Sequence, residues 1–310
     1  MSVKIVTDST VDLLPETIKE LGITIVPVYV MSGNKTYRDG LDITQTEIYN
    51  RMLTGEQFTT SQPTPADFAS VYKNLSKETD QIVSLIMSAK LSGTYNSAVQ
   101  GRELAKSSSN IELIDTKATS GALGLLATQA AEMAKMGESA GNIIDTVRNN
   151  IPHVHIWALL DTVKYVLRSG RLSSASNLIS GVLSIRPMIT LREGSLWPAS
   201  IHRTRNKGLE KLAELVKTNR NVEAVQIVQS VDLAEAQTLK EKLADFIDQS
   251  KIHVSQLGPA LGVHGGPGTL VVAIKEKLGN IGTATDETED RKSFKLPSIH
   301  LPKLGFSSLH

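Results

Sequence analysis

The groups in this chain that are equipped for chemistry are few, and most lie in three short loops. "LGVHGGPGTLVVAIKEK" (Leu261–Lys277) packs four glycines, one proline and a single histidine, His264, ahead of an apolar run. A phosphate, a metal or a carboxylate would each suit so bare a stretch. The phosphate templates fail. Counting from Gly262, Pro267 stands where a Walker A loop needs its second glycine, and no lysine follows. Gly266 and Gly268 lack the third glycine of a dinucleotide fingerprint, and "TLVVAIK" behind them reads as a strand. A metal fares no better, because His264 has no histidine or carboxylate at ligand spacing. His153 and His155 share one face of a strand, but no nearby acidic residue completes a site, so packing or surface polarity accounts for them. What is left for the glycine loop is a backbone stripped of side chains, on which His264 and neighbouring amides come close to a buried ligand.

The other two loops are rich in hydroxyls. "FTTSQPTP" (Phe58–Pro65) brings Thr60 and Ser61 to a helix start, and "KLSGTYNSA" (Lys90–Ala98) puts Ser92, Gly93, Thr94 and Ser97 between a strand and a helix. Ser92, Thr94 or Ser97 would each cap that helix, and capping alone would justify them. Both loops end apolar segments of an α/β pattern, where open sheets usually hold ligands. Hydroxyls and backbone N–H groups at a helix N-terminus suit a small anion such as a carboxylate. They offer no strong base or nucleophile. "SVYK" (Ser70–Lys73) is an isolated S-x-x-K, and there is no G-x-S-x-G elbow. For a small-molecule enzyme or phosphotransferase using a cleft between two domains, Asp8, Ser9 and Asp39 are the polar candidates. Asp8–Thr10 also reads as a plain helix cap behind the first strand.

The elements that must position these loops alternate between strand and helix through the first half. "VKIVTD" (Val3–Asp8) predicts a strand, "STVDLLPETIKELG" a helix that stops at Gly22, and Ile23–Ser32 the next strand. Thr44–Glu47 and Thr64–Asp67 fit capping boxes, the second with Pro65 at the first helical position. Gln81–Ser88 and Asn110–Thr116 are further strands, and Ser120–Gly137 is a helix apolar nearly all the way round. A boundary falls near Asn150–Pro152. Beyond it, "HIWALL", "RPMITLREGSL", "EAVQIVQS", "KIHVSQLG" and "GTLVVAIK" read as strands with two helices between them. The expected fold class is α/β, with two domains of mainly parallel or mixed sheets flanked by helices: residues 1–150 and 151–277. Residues 278–310 are polar and proline-interrupted and read as a flexible tail, with scattered apolar residues that leave room for docking.

Composition narrows the function classes. The net charge of +1 provides no global field for nucleic acid, and no basic helix or helix-turn-helix pattern appears, so no nucleic-acid partner is expected. With no cysteine, thiol nucleophiles, disulfides and cysteine metal sites are excluded. No signal core and no run of 18 apolar residues is present, which predicts a cytoplasmic protein.

Seven segments in order carry a resemblance: "VTDSTVDL", "YRDGLDIT", "TSQPTP", "LSGTYNSA", "VKYVLRSGRLS", "IRPMI…G" and "LGVHGGPG". Each is weak alone; the ordered set is specific. Over about residues 3 to 277 the chain resembles the DegV family of bacterial fatty-acid-binding proteins. The resemblance implies two α/β domains with a fatty acid such as palmitate, stearate or oleate in a tunnel between them. It implies that Thr60, Ser61, Ser92, Gly93 and His264 hold the carboxylate, with Thr94 and Arg171 on the ligand side. Arg171 follows Ser169-Gly170, where many members have two glycines. It further implies a non-catalytic subunit without cofactor or metal, which presents the acid to a separate fatty-acid kinase for conversion to an acyl phosphate. Arg203 and Arg205 would contact that kinase, and transient contact with a membrane is compatible with the role. Chain-length preference and oligomeric state are not in the sequence.

Overall fold

The first strand, β1 (Lys4–Asp8), is buried at every residue after Lys4, but the helix expected behind it starts late. Ser9–Val11 is a single 3-10 turn, Asp12 adopts a left-handed φ of 46°, and α1 begins only at Pro15 (Pro15–Leu21). The proline sets that start, because it holds Leu14 in extended backbone. The expected strand Ile23–Ser32 is in fact two, β2 (Thr24–Val26) and β3 (Tyr29–Ser32). Pro27 lies between them with no N–H to give to a ladder, and the two halves enter different sheets. The computed structural model describes residues 3–172, 185–219 and 221–277. The segment 278–310, read from sequence as a tail, lies outside the described residues.

The chain continues through β4 (Lys35–Arg38), α2 (Gln45–Leu53), β5 (Thr59–Ser61), α3 (Pro65–Leu75), β6 (Gln81–Ile86), α4 (Thr94–Ala105), β7 (Asn110–Asp115), α5 (Ser120–Lys135) and α6 (Ala140–Asn150). Thr64 and Asp67 form the full reciprocal capping box of α3, while Thr44 caps α2 by accepting from the Glu47 N–H. After a 3-10 turn come β8 (Val154–Leu159), α7 (Lys164–Arg168), β9 (Arg186–Arg192), β10 (Ser195–His202), α8 (Arg205–Thr218), β11 (Val222–Gln229), α9 (Leu233–Ala244), β12 (Ile252–Gln256), α10 (Pro259–Gly265) and β13 (Leu270–Glu276). "RPMITLREGSL", expected as one strand, is a hairpin. Glu193 and Gly194, at φ 47° and 80°, make the tight turn between β9 and β10.

The architecture is α/β, with three sheets among the described residues. Four parallel strands run β2-β1-β6-β7, a small antiparallel sheet runs β4-β3-β5, and six strands run β10-β9-β8-β13-β11-β12. Among the described strands of the six-stranded sheet, β11 and β12 pair in parallel and the other neighbours antiparallel. Every strand of the first two sheets precedes residue 150 and every strand of the third follows it. Helix α5 explains its own apolar girth. One side packs on β13 and β11, the other on β1 and β6, so it has almost no face for water. Leu123 and Leu126 are fully buried there, each worth roughly 1.5–3 kcal/mol. Gly121 permits the close approach: a Cβ there would lie 2.9 Å from Gln226 Cγ.

Helix α10, which carries His264, is secured from the far end of the chain. Its N-cap is Gly258, without a side chain to cap it, and Pro259 has no N–H. The Gly258 N–H donates to Asp12 Oδ1 at 2.8 Å, and the Ala260 N–H to Asp39 Oδ1 at 3.1 Å. Ser120 Oγ meets Asp12 Oδ2 at 2.6 Å, Ser9 Oγ donates to Asp39 Oδ2 at 2.7 Å, and the Tyr49 hydroxyl donates to the Leu257 carbonyl at 3.0 Å. Asp8 supports the same corner: it accepts from Thr10 through Oδ1 and from the Met87 N–H through Oδ2. All three carboxyls are buried.

Burial pushes the Asp12 carboxyl up to about 8 and the Asp39 carboxyl up to about 6, against the hydrogen bonds that favour the charged form. A folded-state value above the unfolded one means that the native protein binds the proton more tightly. The stability so contributed is full below about pH 4 and is lost as pH rises through about 6 and then about 8. Histidines bring an opposite slope: His202, His253 and His264 hold their protons less tightly in the fold than in the unfolded chain, which raises stability up to about pH 7.5, so Asp12 is isolated by comparison with Asp12→Asn. Relative to Asp12→Asn, the wild-type unfolding free energy from urea titration is expected to fall between pH 6.5 and 8, by roughly 1 kcal/mol per pH unit. A wild-type stability that stays level with the variant, or climbs against it, over this range would contradict the account.

Candidate ligand-binding site

A cavity of about 350 Å³ opens where β5, the β6–α4 loop, α7, β9 and α10 converge. Its size sits at the lower end of the range for small-molecule pockets, about 300–1,000 Å³. Most of the wall is apolar, with Val28, Met87, Leu160, Ile189, Leu196 and Val271 among the residues lining it. Among the described residues, none of those that line it is Asp or Glu. Five residues singled out from the sequence, Thr60, Ser61, Ser92, Gly93 and His264, all reach this wall, and so does Arg171.

These groups are tied to one another. Thr60 Oγ1 and His264 Nε2 lie 2.8 Å apart, which joins the small antiparallel sheet to α10. Ser92 Oγ is 2.8 Å from Thr94 Oγ1 and accepts from the Thr94 N–H, so it caps the start of α4 while one side faces the cavity. Thr94 itself is buried behind Ser92 and is not part of the wall. Gly93 is the N-cap of α4. A Cβ on it would strike the Gln62 side chain at 2.5 Å, and Gln62 also lines the cavity. Arg171 reaches across from the end of α7, and its Nε donates to the Leu91 carbonyl at 3.0 Å. The guanidinium therefore stands beside the N-terminus of α4, where helix dipole and cation add for an anion.

The expected glycine loop is largely helix. Gly262 and Gly265 belong to α10, and His264 sits on its last turn. Only Gly265 of these glycines lines the cavity. The others admit protein: a Cβ on Gly262 would lie 2.5 Å from the Tyr49 hydroxyl, and one on Gly266 (φ 84°) 2.1 Å from the Tyr165 ring. The bare backbone thus serves packing that aims His264, more than direct approach to a ligand. His264 keeps part of its surface, but that surface faces the cavity. Its pKa is pushed down to about 3, by burial first and by Arg171 and Arg168 next. The imidazole is neutral at neutral pH, and the positive charge at the wall belongs to Arg171. Burial lowers the pKa of Arg171 as well, but leaves it a cation.

The remaining candidates lie elsewhere. Arg203 is exposed in the turn before α8, away from the cavity wall. Arg205 is held by Glu235 at 2.7 Å and by Asp161 at 3.3 Å. Asp8, Ser9 and Asp39 do not line the cavity; they brace its supports. Ser70 and Lys73 are exposed on α3. His153 and His155 do have an acidic neighbour: Glu276, on the adjacent strand β13, lies 3.2 Å from His153 Nδ1 and 3.1 Å from His155 Nε2. Sequence distance hid that contact. Among the described residues, no group of three or more His, Asp or Glu is arranged to hold a metal ion, and no helix is long and apolar enough to cross a membrane. Gln62 was missed, because nothing in its spacing sets it apart from the hydroxyls around it.

Residues 2–277 match the model of the DegV family, described as uncharacterised proteins of that family. A DegV domain-containing protein of Caldanaerobacter subterraneus subsp. tengcongensis is 32% identical over 288 residues, covering 89% of this chain and 99% of that protein. A DegV family protein from Thermus thermophilus, described by its fatty-acid binding, superposes with a TM-score of 0.83 at 29% identity, over 89% of this chain and 100% of that one. DegV of Bacillus subtilis, described as a fatty acid binding protein, gives 0.81 at 27% identity over the same shares. The ordered segments, the sheet arrangement and these likenesses agree, and the chain belongs to the DegV family.

Proposed function

We propose that this protein is a non-catalytic carrier of a long-chain fatty acid, with the carboxylate held by Thr60, Ser61, Ser92, Gly93 and His264 and the chain in the apolar remainder of the cavity. The observation that carries the reading is an apolar cavity with one cation, one neutral imidazole and several hydroxyls gathered together, and with no acidic residue among the described ones that line it. Arg171 supplies the countercharge, and Thr60, Ser92 and His264 supply hydrogen bonds. About 14 buried methylenes would contribute on the order of 11 kcal/mol, against an association cost of about 4–15 kcal/mol. Affinity therefore depends on a headgroup that is not left unpaired, since a lone buried charge costs several kcal/mol.

In the same reading, residues 1–150 and 151–277 act as two domains that meet at the cavity, and the protein works in the cytoplasm. The bound acid is presented to a separate fatty-acid kinase, which phosphorylates the carboxylate. Exposed Arg203 is free to engage such a partner, whereas Arg205 is already held by Glu235 and Asp161. The polar groups that an enzyme would need, Asp8, Ser9 and Asp39, are committed to internal hydrogen bonds, and this favours the carrier over a small-molecule enzyme or phosphotransferase.

Denaturing mass spectrometry of the purified protein is expected to release a stoichiometric long-chain fatty acid. Absence of any, with none taken up on incubation with oleate, would remove the reading. Combining Ser92→Ala with His264→Ala should weaken acyl binding at least about tenfold, or about 1.4 kcal/mol, as read by displacement of a fluorescent fatty acid. An unchanged affinity would refute this headgroup assignment. Arg203→Ala should bind lipid normally yet slow acyl-phosphate formation by a purified fatty-acid kinase with ATP; full turnover would take Arg203 out of the kinase contact.

A further inference from the structure

Helix α10 is seven residues long, too short to persist in water without outside support. The donors at its start find no acceptor within their own segment, and Asp12 and Asp39 provide acceptors 246 and 221 residues away. Gly258 lets them in: a Cβ there would come 3.1 Å from Asp12 Oδ1 and 3.7 Å from Asp39 Oδ1. At the other end of the same helix, His264 meets Thr60 at the cavity wall. We propose that Asp39, which does not line the cavity, is a positioning residue for its headgroup end: it fixes the start of α10 and through that rigid turn aims the His264 imidazole.

The two carboxyls are not equivalent in this role. Asp39 Oδ1 takes the Ala260 N–H, and Oδ2 takes the Ser9 hydroxyl, which itself accepts from the Val28 N–H at 3.0 Å. Both oxygens of Asp39 must accept. An amide in its place would turn an N–H either toward the Ala260 N–H or toward a Ser9 oxygen whose own proton then loses its acceptor. Asp12 is more tolerant, because burial already favours its protonated carboxyl, which can donate to Ser120 Oγ as an amide NH₂ would while the other oxygen keeps the Gly258 N–H; Ser9 Oγ, by contrast, is already taken by the Val28 N–H. The isosteric pair Asp39→Asn and Asp12→Asn therefore separates loss of an acceptor from change of volume. Val28 also lines the cavity, so the Ser9–Asp39 link ties two parts of the wall together.

The test uses the full chain, and its affinity arm rests on the fatty-acid reading. The ring carbon–proton resonances of His264 in ligand-free protein are recorded by NMR, and oleate affinity is measured alongside. Asp39→Asn is expected to shift the His264 resonances and to weaken oleate binding about tenfold or more, while the melting curve remains cooperative. Asp12→Asn is expected to leave the His264 resonances in place and the affinity within about threefold. A His264 signal that is unmoved in Asp39→Asn would overturn the proposal, as would equal shifts in both variants. Should Asp39→Asn not fold, Ser9→Ala replaces it, since it removes only the hydroxyl that orients the carboxylate; an unmoved His264 there overturns the proposal equally. If wild-type protein bound no oleate, the carrier reading would fall while the His264 arm still decided the role of Asp39.

Discussion

A short helix whose caps come from the opposite end of the chain is the constraint around which this molecule is arranged. Helix α10 has a glycine N-cap and a proline first residue, so its sequence offers almost nothing to hold its own first turn. Asp12 and Asp39 fill that gap from two other segments, one behind β1 and one behind β4. Burying carboxyls is costly, and the raised values of both show that cost. The compensation is geometric. Tyr49, Ser9, Ser120 and the backbone of α10 all converge on one corner, and the histidine-bearing end of the helix is placed by that corner.

Electrostatics at the cavity follow from the same burial. A histidine beside a hydroxyl invites the assumption that it is the cation of a carboxylate site. Here a low-dielectric setting and two arginines hold it neutral, and it acts as a hydrogen-bonding wall. The charge comes from Arg171, anchored on the Leu91 carbonyl next to the start of α4. In the proposed carrier, guanidinium, helix N-terminus and neutral imidazole would divide the work of receiving the carboxylate, and no single group would have to bear it.

Much of the wall was legible in the sequence because it is made of local signals. Thr60 and Ser61 precede a proline-started helix, Ser92 and Gly93 sit at a strand-to-helix turn, and His264 stands alone among glycines. Their short-range grammar survives folding. The alternation of strands and helices up to residue 150 likewise follows the sequence pattern, except where local breakers interrupt it. Pro27 divides one apolar run, Pro15 delays α1, and Glu193-Gly194 folds another run back on itself. Long-range pairings could not be read at all. Glu276 beside His153 and His155, Tyr49 against Gly262, and both carboxylate caps of α10 join residues more than a hundred positions apart. Helix α10 was hidden for a related reason: its glycines lower intrinsic helicity by about 1 kcal/mol each, and only tertiary contacts restore it.

The remote caps also bear on how the cavity comes into being as the chain is made. Asp12 and Asp39 emerge early in synthesis, while the N–H groups they serve lie beyond residue 257. Loop closure over such distances is entropically expensive and is met only when most of the fold already exists. A chain that has reached its midpoint contains every strand of the parallel sheet but not the helix that carries the histidine. The cavity wall is thus completed late, once α10 and β13 have been made, and partial chains lack the residues that close it.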